Sequence, residues 1–251
     1  VALGRPLLAD PNWVAKASSG KPIRACLGCN TCVDEMRAGQ PLHCLVNPTT
    51  GRERVYDGDG GPRNEKIAVI GAGPAGLTYA GLAGRRNKVT LFEKALHGGG
   101  AFNLVSAAPL FQNVQPEAYS FVAFIRSLEE ICDQAAVERR YGEDPLENPT
   151  QLAGYDRIVV ASGATYRWGL GGLAACLLAS GLLRRAPLRR LAENERLRHW
   201  FYYKARNRQE RLLSTVRRLG VTVEVIGDAR SAGKSKEAIL NAFEAAQGVN
   251  A

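Results

Sequence analysis

A short apolar run, Ile67 to Ile70, leads directly into Gly71-x-Gly73-x-x-Gly76, and no other stretch of the 251 residues restricts the fold as much. Four apolar residues between charged and glycine-rich flanks predict a buried parallel strand. Gly71 permits a tight turn, Gly73 lets a pyrophosphate approach the backbone, and Gly76 lets the next helix lie against the strand. Pro74 and Ala75 belong to the N-terminus of that helix, whose free N–H groups and partial positive charge suit phosphate. A second strand, Val89 to Phe92, ends at Glu93, twenty residues after Gly73. An acidic side chain there is placed for ribose hydroxyls and disfavours a 2′-phosphate. Glycine triplets alone are common. With the strand, the helix, the second strand and the acid all in place, an adenine-dinucleotide site is the expectation.

The cysteines carry the second signal. Cys26, Cys29 and Cys32 stand at two-residue gaps, and eleven residues separate Cys32 from Cys44. Three thiolates so spaced can wrap one face of a compact inorganic cage, Gly28 relaxes the backbone between them, and a remote fourth closes the site. A four-iron cluster is the reading preferred over zinc, which more often uses two separated pairs, and over reduced structural cysteines. Lys21, Arg24 and Arg37 would offset the charge of such a cage. Thiols clustered this way in a nucleotide-binding chain predict a reducing, cytoplasmic setting.

These motifs together resemble one enzyme family. Cys26-Leu-Gly-Cys29-Asn-Thr-Cys32, Cys44-Leu-Val-Asn-Pro48 and Ala68-Val-Ile-Gly-Ala-Gly-Pro-Ala-Gly-Leu77 occur in the order found in iron–sulfur flavoenzymes. That group includes 2,4-dienoyl-CoA reductase and trimethylamine dehydrogenase. Gly99-Gly100-Ala-Phe102-Asn103, just after Glu93 and Lys94, resembles the family's flavin loop. Ile158 to Ala161, leading to Gly163, resembles its strand before a glycine crossover, and Gly227-Asp228 its late flavin contact. The resemblance implies FAD in the dinucleotide site, with ADP alone as the alternative, and a 4Fe-4S cluster on the cysteines. It also implies a missing part. In the family an FMN-binding barrel of the old-yellow-enzyme type precedes the cluster, and Gly4 to Pro11 resembles the barrel's end. Arg5 is then an FMN phosphate contact only where that barrel is present, on this chain or another.

The fold expected is α/β, a Rossmann-like FAD/NAD(P)-binding domain with a parallel sheet, preceded by a small iron–sulfur segment and carrying a helical insertion. The boundaries read as 1–20 for the barrel-like end, 21–64 for the cluster segment and linker, and 65–167 for the dinucleotide domain. A basic helical segment follows over 168–219, and 220–251 returns to the first domain. Pro48 to Asn64 reads as a surface linker. Phe121, Phe124, Ile125, Leu128 and Ile131 repeat at helical spacing and predict a packing helix over 116–132, with Cys132 in the core. Tyr155 to Ala161 and Val221 to Ile226 read as strands and 234–247 as a closing helix.

A reductase of the family would carry a second dinucleotide fold after residue 168. Gly169-Leu-Gly171-Gly172 has no strand ahead of it and looks like a helix start, so NAD(P)H binding has no complete motif here. Three helices are predicted instead, over 172–183, 187–203 and 207–219. Between Gly171 and Leu219 twelve Arg and Lys face three Glu, which accounts for the whole net charge of +9 and leaves the rest balanced. The plain reading of that segment is a solvated face with Trp200 to Tyr203 packed inward; docking to an electron-transfer protein comes next, and nucleic acid is not expected. No apolar run approaches a membrane span, so no membrane partner is expected. His43, His97 and His199 are scattered and suggest no catalyst.

The expected function is the electron-transfer portion of a flavin/iron–sulfur oxidoreductase, working with an FMN barrel on the same or another chain, and an oligomer is expected. The competing reading is an assembly or partner-docking subunit with a structural nucleotide and a structural metal.

Overall fold

The computed structural model describes residues 2–56, 60–110, 114–145, 147–207, 210–231 and 233–249. Among them a five-stranded parallel sheet forms the centre: β1 (Lys66–Ile70), β2 (Lys88–Glu93), β3 (Glu138–Tyr141), β4 (Arg157–Val160) and β7 (Thr222–Val225). Between the last two lies a small antiparallel ribbon, β5 (Thr165–Tyr166) with β6 (Arg206–Asn207). The sheet order is β3-β2-β1-β4-β7, so the winding reverses between β1 and β4. In such sheets ligands bind outside the carboxyl ends of the strands, at that reversal.

The alternation of β1 divides the core. Ile67 and Val69 face one layer, built by α4 (Pro74–Ala83), α6 (Ala118–Gln134) and α11 (Ser235–Ala246). Ala68 and Ile70 face the other, closed by Leu152, Tyr155 and α10 (Glu210–Arg217), whose Val216 is fully buried. Helix α4 is sandwiched, and its small residues allow it. A Cβ on Gly81 would lie 2.9 Å from the Ile131 side chain of α6. Phe121 and Phe124 from α6 are buried and meet Phe102 edge-on at 5.2 Å and tilted at 6.0 Å. Each such ring contributes roughly 1.5–3 kcal/mol by leaving water.

The cysteine segment packs onto this core. Leu27, Cys29, Leu45 and Val46 belong to the same buried cluster as Ile67 and Leu77. Before it come α1 (Arg5–Ala9) and α2 (Trp13–Ser18), and within it α3 (Thr31–Arg37). Helix α1 is tied down through its Leu8 carbonyl, which accepts from Asn47 Nδ2 at 2.9 Å and Thr50 Oγ1 at 3.0 Å. From the far end of the chain, Lys236 of α11 reaches Glu35 of α3 at 2.6 Å.

Three expectations need correction, and one strand was not foreseen. The stretch 48–64 does more than link, and residues 57–59 of it lie outside the described residues. Thr50 is buried, Tyr56 packs edge-on against Phe243 at 4.9 Å, and Gly60 and Gly61 press against the carbonyls of Gln247 and Ala246. Strand β3 had no sequence signal: as an edge strand paired on one side only, it tolerates Glu138-Arg-Arg-Tyr. The helix expected over 187–203 is two, α8 (Leu188–Glu193) and α9 (Glu195–Tyr203). Asn194 breaks it with an extended backbone and caps α9 by accepting from the Leu197 N–H at 3.1 Å; this is an ordinary N-cap. The third predicted helix starts later, because β6 occupies 206–207, and 208–209 lie outside the described residues. Helix α7 (Leu170–Ala179) begins at a left-handed Gly169, as a helix start and not a phosphate loop.

The inward packing expected of the aromatics holds for Phe201, which stacks on Tyr166 of the ribbon at 4.5 Å, whereas Trp200 stays 41% exposed. The side chains of Leu212, Tyr202 and Tyr203 lie outside the described residues.

Candidate cofactor site

The glycine turn is built as its spacing demands. Gly71 has φ +108°, and a Cβ there would meet the Ala161 carbonyl oxygen at 2.6 Å. Around Gly73 nothing would lie within 4 Å of a Cβ, so the backbone stands open where a ligand would pass. A Cβ on Gly76 would run into the Gly71 carbonyl, which is why α4 can start so close to β1. Gly73 caps α4 with Pro74 at its first position and Ala75 buried behind it.

Four further segments close on this turn. Glu93, at the end of β2, accepts from the Ala72 N–H at 2.7 Å and from the Ala95 N–H at 3.0 Å. That fixes its carboxylate beside the turn. The Gly99 N–H donates to the Ala72 carbonyl at 2.8 Å, and Gly100 lies so that a Cβ would be 3.3 Å from the Gly73 Cα. Both have positive φ, and Gly100 caps α5 (Ala101–Val105). The Asn103 side chain donates to the Gly98 carbonyl at 2.9 Å and so holds this loop. From β4, the Ala161 N–H continues the ladder to the Ile70 carbonyl at 2.8 Å, and Gly163 turns away with φ +72°. From β7, Gly227 sits with φ +60° where a Cβ would be 3.0 Å from that of Ala75. Asp228 follows and accepts from the Gly233 N–H at 3.3 Å. Lys94 is exposed at the rim.

Three supporting residues escaped the sequence reading. Asn241 of α11 accepts from the Gly227 N–H at 3.0 Å; a polar residue on an otherwise apolar helix face was its only signal. Glu129 and Tyr141 lie beneath Gly98, with the tyrosine hydroxyl donating to the carboxylate at 2.6 Å. Tyr141 ends β3, the strand that was not foreseen. Burial and the Glu129 carboxylate push its hydroxyl well above the usual range, so it stays a donor.

Cys26, Cys29, Cys32 and Cys44 line one concavity, together with Arg5, Asn30, Leu27, Leu45 and Val46. Gly28 and Asn30 adopt left-handed conformations that curl the chain between the thiols, and the Gly28 N–H points at Cys26 Sγ, 3.5 Å away. Burial and the neighbouring thiols push Cys44 up to about 11, and Cys32 is raised for the same reasons. Among the described residues no three His, Cys, Asp or Glu side chains close to the spacing of a single metal ion. The thiols share one wall without crowding a point. Of the expected counter-charges, Arg24 interacts with Cys44 and Asp10, while Lys21 and Arg37 do not line the concavity. Arg5, which the family resemblance assigned to FMN, hydrogen-bonds Asn30 at its edge. The His43 ring meets Glu35 at 3.1 Å and the His97 ring meets Asn103 at 3.3 Å.

Residues 69–113 match the family model described as an NAD(P)-binding Rossmann-like domain. The chain is similar to a metal reductase of Desulforamulus reducens, with 36% identity over 172 residues, 65% of this chain and 25% of that one. It is equally similar to an NADH oxidase of Thermoanaerobacter brockii, 36% identical over 171 residues with the same coverage of each chain. The chain thus spans about a quarter of the length of the curated relatives it matches. Of the solved structures, a 2-naphthoyl-CoA reductase bound to 2-naphthoyl-CoA superimposes with a TM-score of 0.77. That match covers 98% of this chain and 50% of the other at 18% identity, which speaks for the fold. Among the described residues no helix is long and apolar enough to cross a membrane.

Proposed function

We propose that this chain, a relative of the flavoenzyme reductases and dehydrogenases it resembles in sequence, is the electron-transfer portion of a flavin/iron–sulfur oxidoreductase. One observation carries the reading: the residues behind the glycine-turn cleft (Ala72, Ala75, Ala161) and those of the four-thiol concavity (Leu27, Cys29, Leu45, Val46) belong to one buried cluster. The chemistry supplied by the bound groups is electron exchange, in single electrons at a cluster and in one or two at a flavin.

The residues present fit both groups. At the cleft, the bare backbone of Gly73 and the open N-terminus of α4 suit a pyrophosphate, and the Glu93 carboxylate suits ribose hydroxyls. Gly99, Gly100, Ala161, Gly163, Gly227 and Asp228 border the length a flavin needs beyond the adenylate. At the concavity, the donors are thiols alone, and the Gly28 N–H is already directed at one of them. A cage of several irons holds its thiolates farther apart than one zinc ion with bonds of about 2.3 Å does. The apolar walls of Leu27, Leu45 and Val46 keep water from the thiols, and Arg24 and Arg5 supply positive charge nearby. We further propose that the chain works beside an FMN-bearing barrel in a reducing, cytoplasmic setting; all six cysteines are free.

The visible spectrum of protein purified without oxygen tests this. Flavin bands together with a broad shoulder, both bleached by dithionite, are expected, and Cys29→Ser should remove the shoulder while leaving the flavin. A colourless chain holding ADP or zinc would instead mark a structural assembly subunit.

A further inference from the structure

We propose that the layer made by α7, α8 and α9 is the docking surface of an acidic electron-transfer protein, a proposal that rests on the relay reading above. From Thr165 to Trp200 no described residue is buried, although α7 reads Leu-Gly-Gly-Leu-Ala-Ala-Cys-Leu-Leu-Ala. Trp168, Leu173 and Leu191 are 78%, 58% and 59% exposed. Leu197 and Trp200, one helical turn apart on α9, are exposed too. Single exposed leucines are ordinary. Here they recur on elements that touch one another in succession, from α7 through the turn at 182–184 to α8 and α9.

Charge decides what covers them. Arg184, Arg185, Arg189, Arg190, Arg196 and Arg198 lie on or beside the same elements, against Glu193 and Glu195. Glu193 is already engaged by Arg189 at 2.8 Å. Lys204 is the single lysine between Thr165 and Leu219. A merely solvated face would favour lysine and glutamate. Tryptophan and arginine are instead the residues that anchor protein interfaces, where lysine is depleted. The excess of positive over negative charge on this layer selects an acidic partner and steers it in.

Position gives the partner its kind. Arg184 donates from Nε and Nη2 to the carbonyls of Ala107 and Ser106, each at 3.1 Å. Those carbonyls lie just beyond α5, and α5 starts at Gly100 against Gly73. The layer is therefore separated from the dinucleotide cleft by one helix about 7.5 Å long. Its residues include no complete second dinucleotide motif, and a protein seated there would stand one short helix away from the glycine-turn cleft.

Bacterial flavodoxin, an acidic electron-transfer protein, is a suitable probe, with a basic cytochrome c as its opposite. Binding to the full anaerobic chain is measured by titration at about 20 and about 200 mM salt, between which screening rises steeply. Flavodoxin should bind at low salt and weaken at least about tenfold at high salt, and cytochrome c should not bind. R190E/R196E, at exposed positions outside the cofactor residues, should weaken binding about tenfold or more with an unchanged visible spectrum, and Leu191→Ser severalfold. Absence of flavodoxin binding by a chain that carries its cofactors would overturn the proposal. So would binding indifferent to R190E/R196E, or tighter binding to polyuridylate or to phosphatidylglycerol vesicles. A colourless chain that still binds flavodoxin with this salt and mutational pattern would keep the surface and remove the relay.

Discussion

The two halves of this molecule treat apolar residues in opposite ways. In the sheet layer Ile67, Val69 and Leu91 are almost wholly buried under helices α4, α6 and α11, and Phe92, Ile158 and Val160 under Leu152, Tyr155 and α10. In the α7 to α9 layer, leucines at similar density remain in contact with water. The first region is completed by its own chain. The second leaves its apolar side chains in water and is held at its root by the β5–β6 ribbon, the Tyr166–Phe201 stack and Arg184. The contrast teaches that hydrophobic content alone does not say where a core is; the sheet turns it into one, and a thin helical layer does not.

Truncations should separate the halves most sharply. Phe124→Ala, in the sheet layer, should destabilise by about 3–5 kcal/mol in denaturant unfolding, since the ring is fully buried against Phe102. A smaller loss at the same layer would mean that its packing is looser than described. Gly76→Ala pushes a methyl onto the Gly71 carbonyl and should lose roughly 1–3 kcal/mol together with most bound flavin, read by unfolding and by flavin stoichiometry. Retention of full flavin would break the link between the turn and the cleft. In the helical layer, Asn194→Ala should lose only about 1 kcal/mol, seen as faster amide exchange confined to α9. Leu173→Ser should shift stability by no more than about 0.5 kcal/mol, because the side chain is already in water. A large effect there would show that this layer has a core after all.

Acid probes the join between the halves' common N-terminal anchor and the cysteine segment. Burial alone would raise the Asp10 carboxyl, but the bond and charge of Lys16 and the N–H groups of Arg24 and Asn12 outweigh it and hold it below its ordinary 3.8. The stability it contributes is therefore complete above that ordinary value and is lost as pH falls through the lower folded one. Wild-type protein should lose this increment below about pH 4, and Asp10→Asn should lack it, as read from melting temperatures against pH.

Much of this was legible in the sequence, for physical reasons. Strands β1, β2 and β4 are apolar runs because neighbours and helices bury them, edge strand β7 showed itself by alternating Val223 and Val225, and the cleft residues follow glycine spacing that only a close approach requires. The four cysteines announced their common pocket through their gaps. Edge strand β3 was silent because one unpaired side admits Glu138 and Arg140. The ribbon was silent because two residues per strand carry no period. Asn194 was legible in principle as a helix cap, but the apolar repeat on either side of it hid the break. Glu129, Tyr141 and Asn241 act by supporting backbone glycines, and such contacts leave no pattern along a chain.

Iron, sulfide, zinc and flavin analysis of the anaerobically purified chain tests the central claim most directly. The account expects about four irons and four sulfides per chain, with FAD in equal amount to protein. Zinc in place of iron, or ADP in place of flavin, would contradict it.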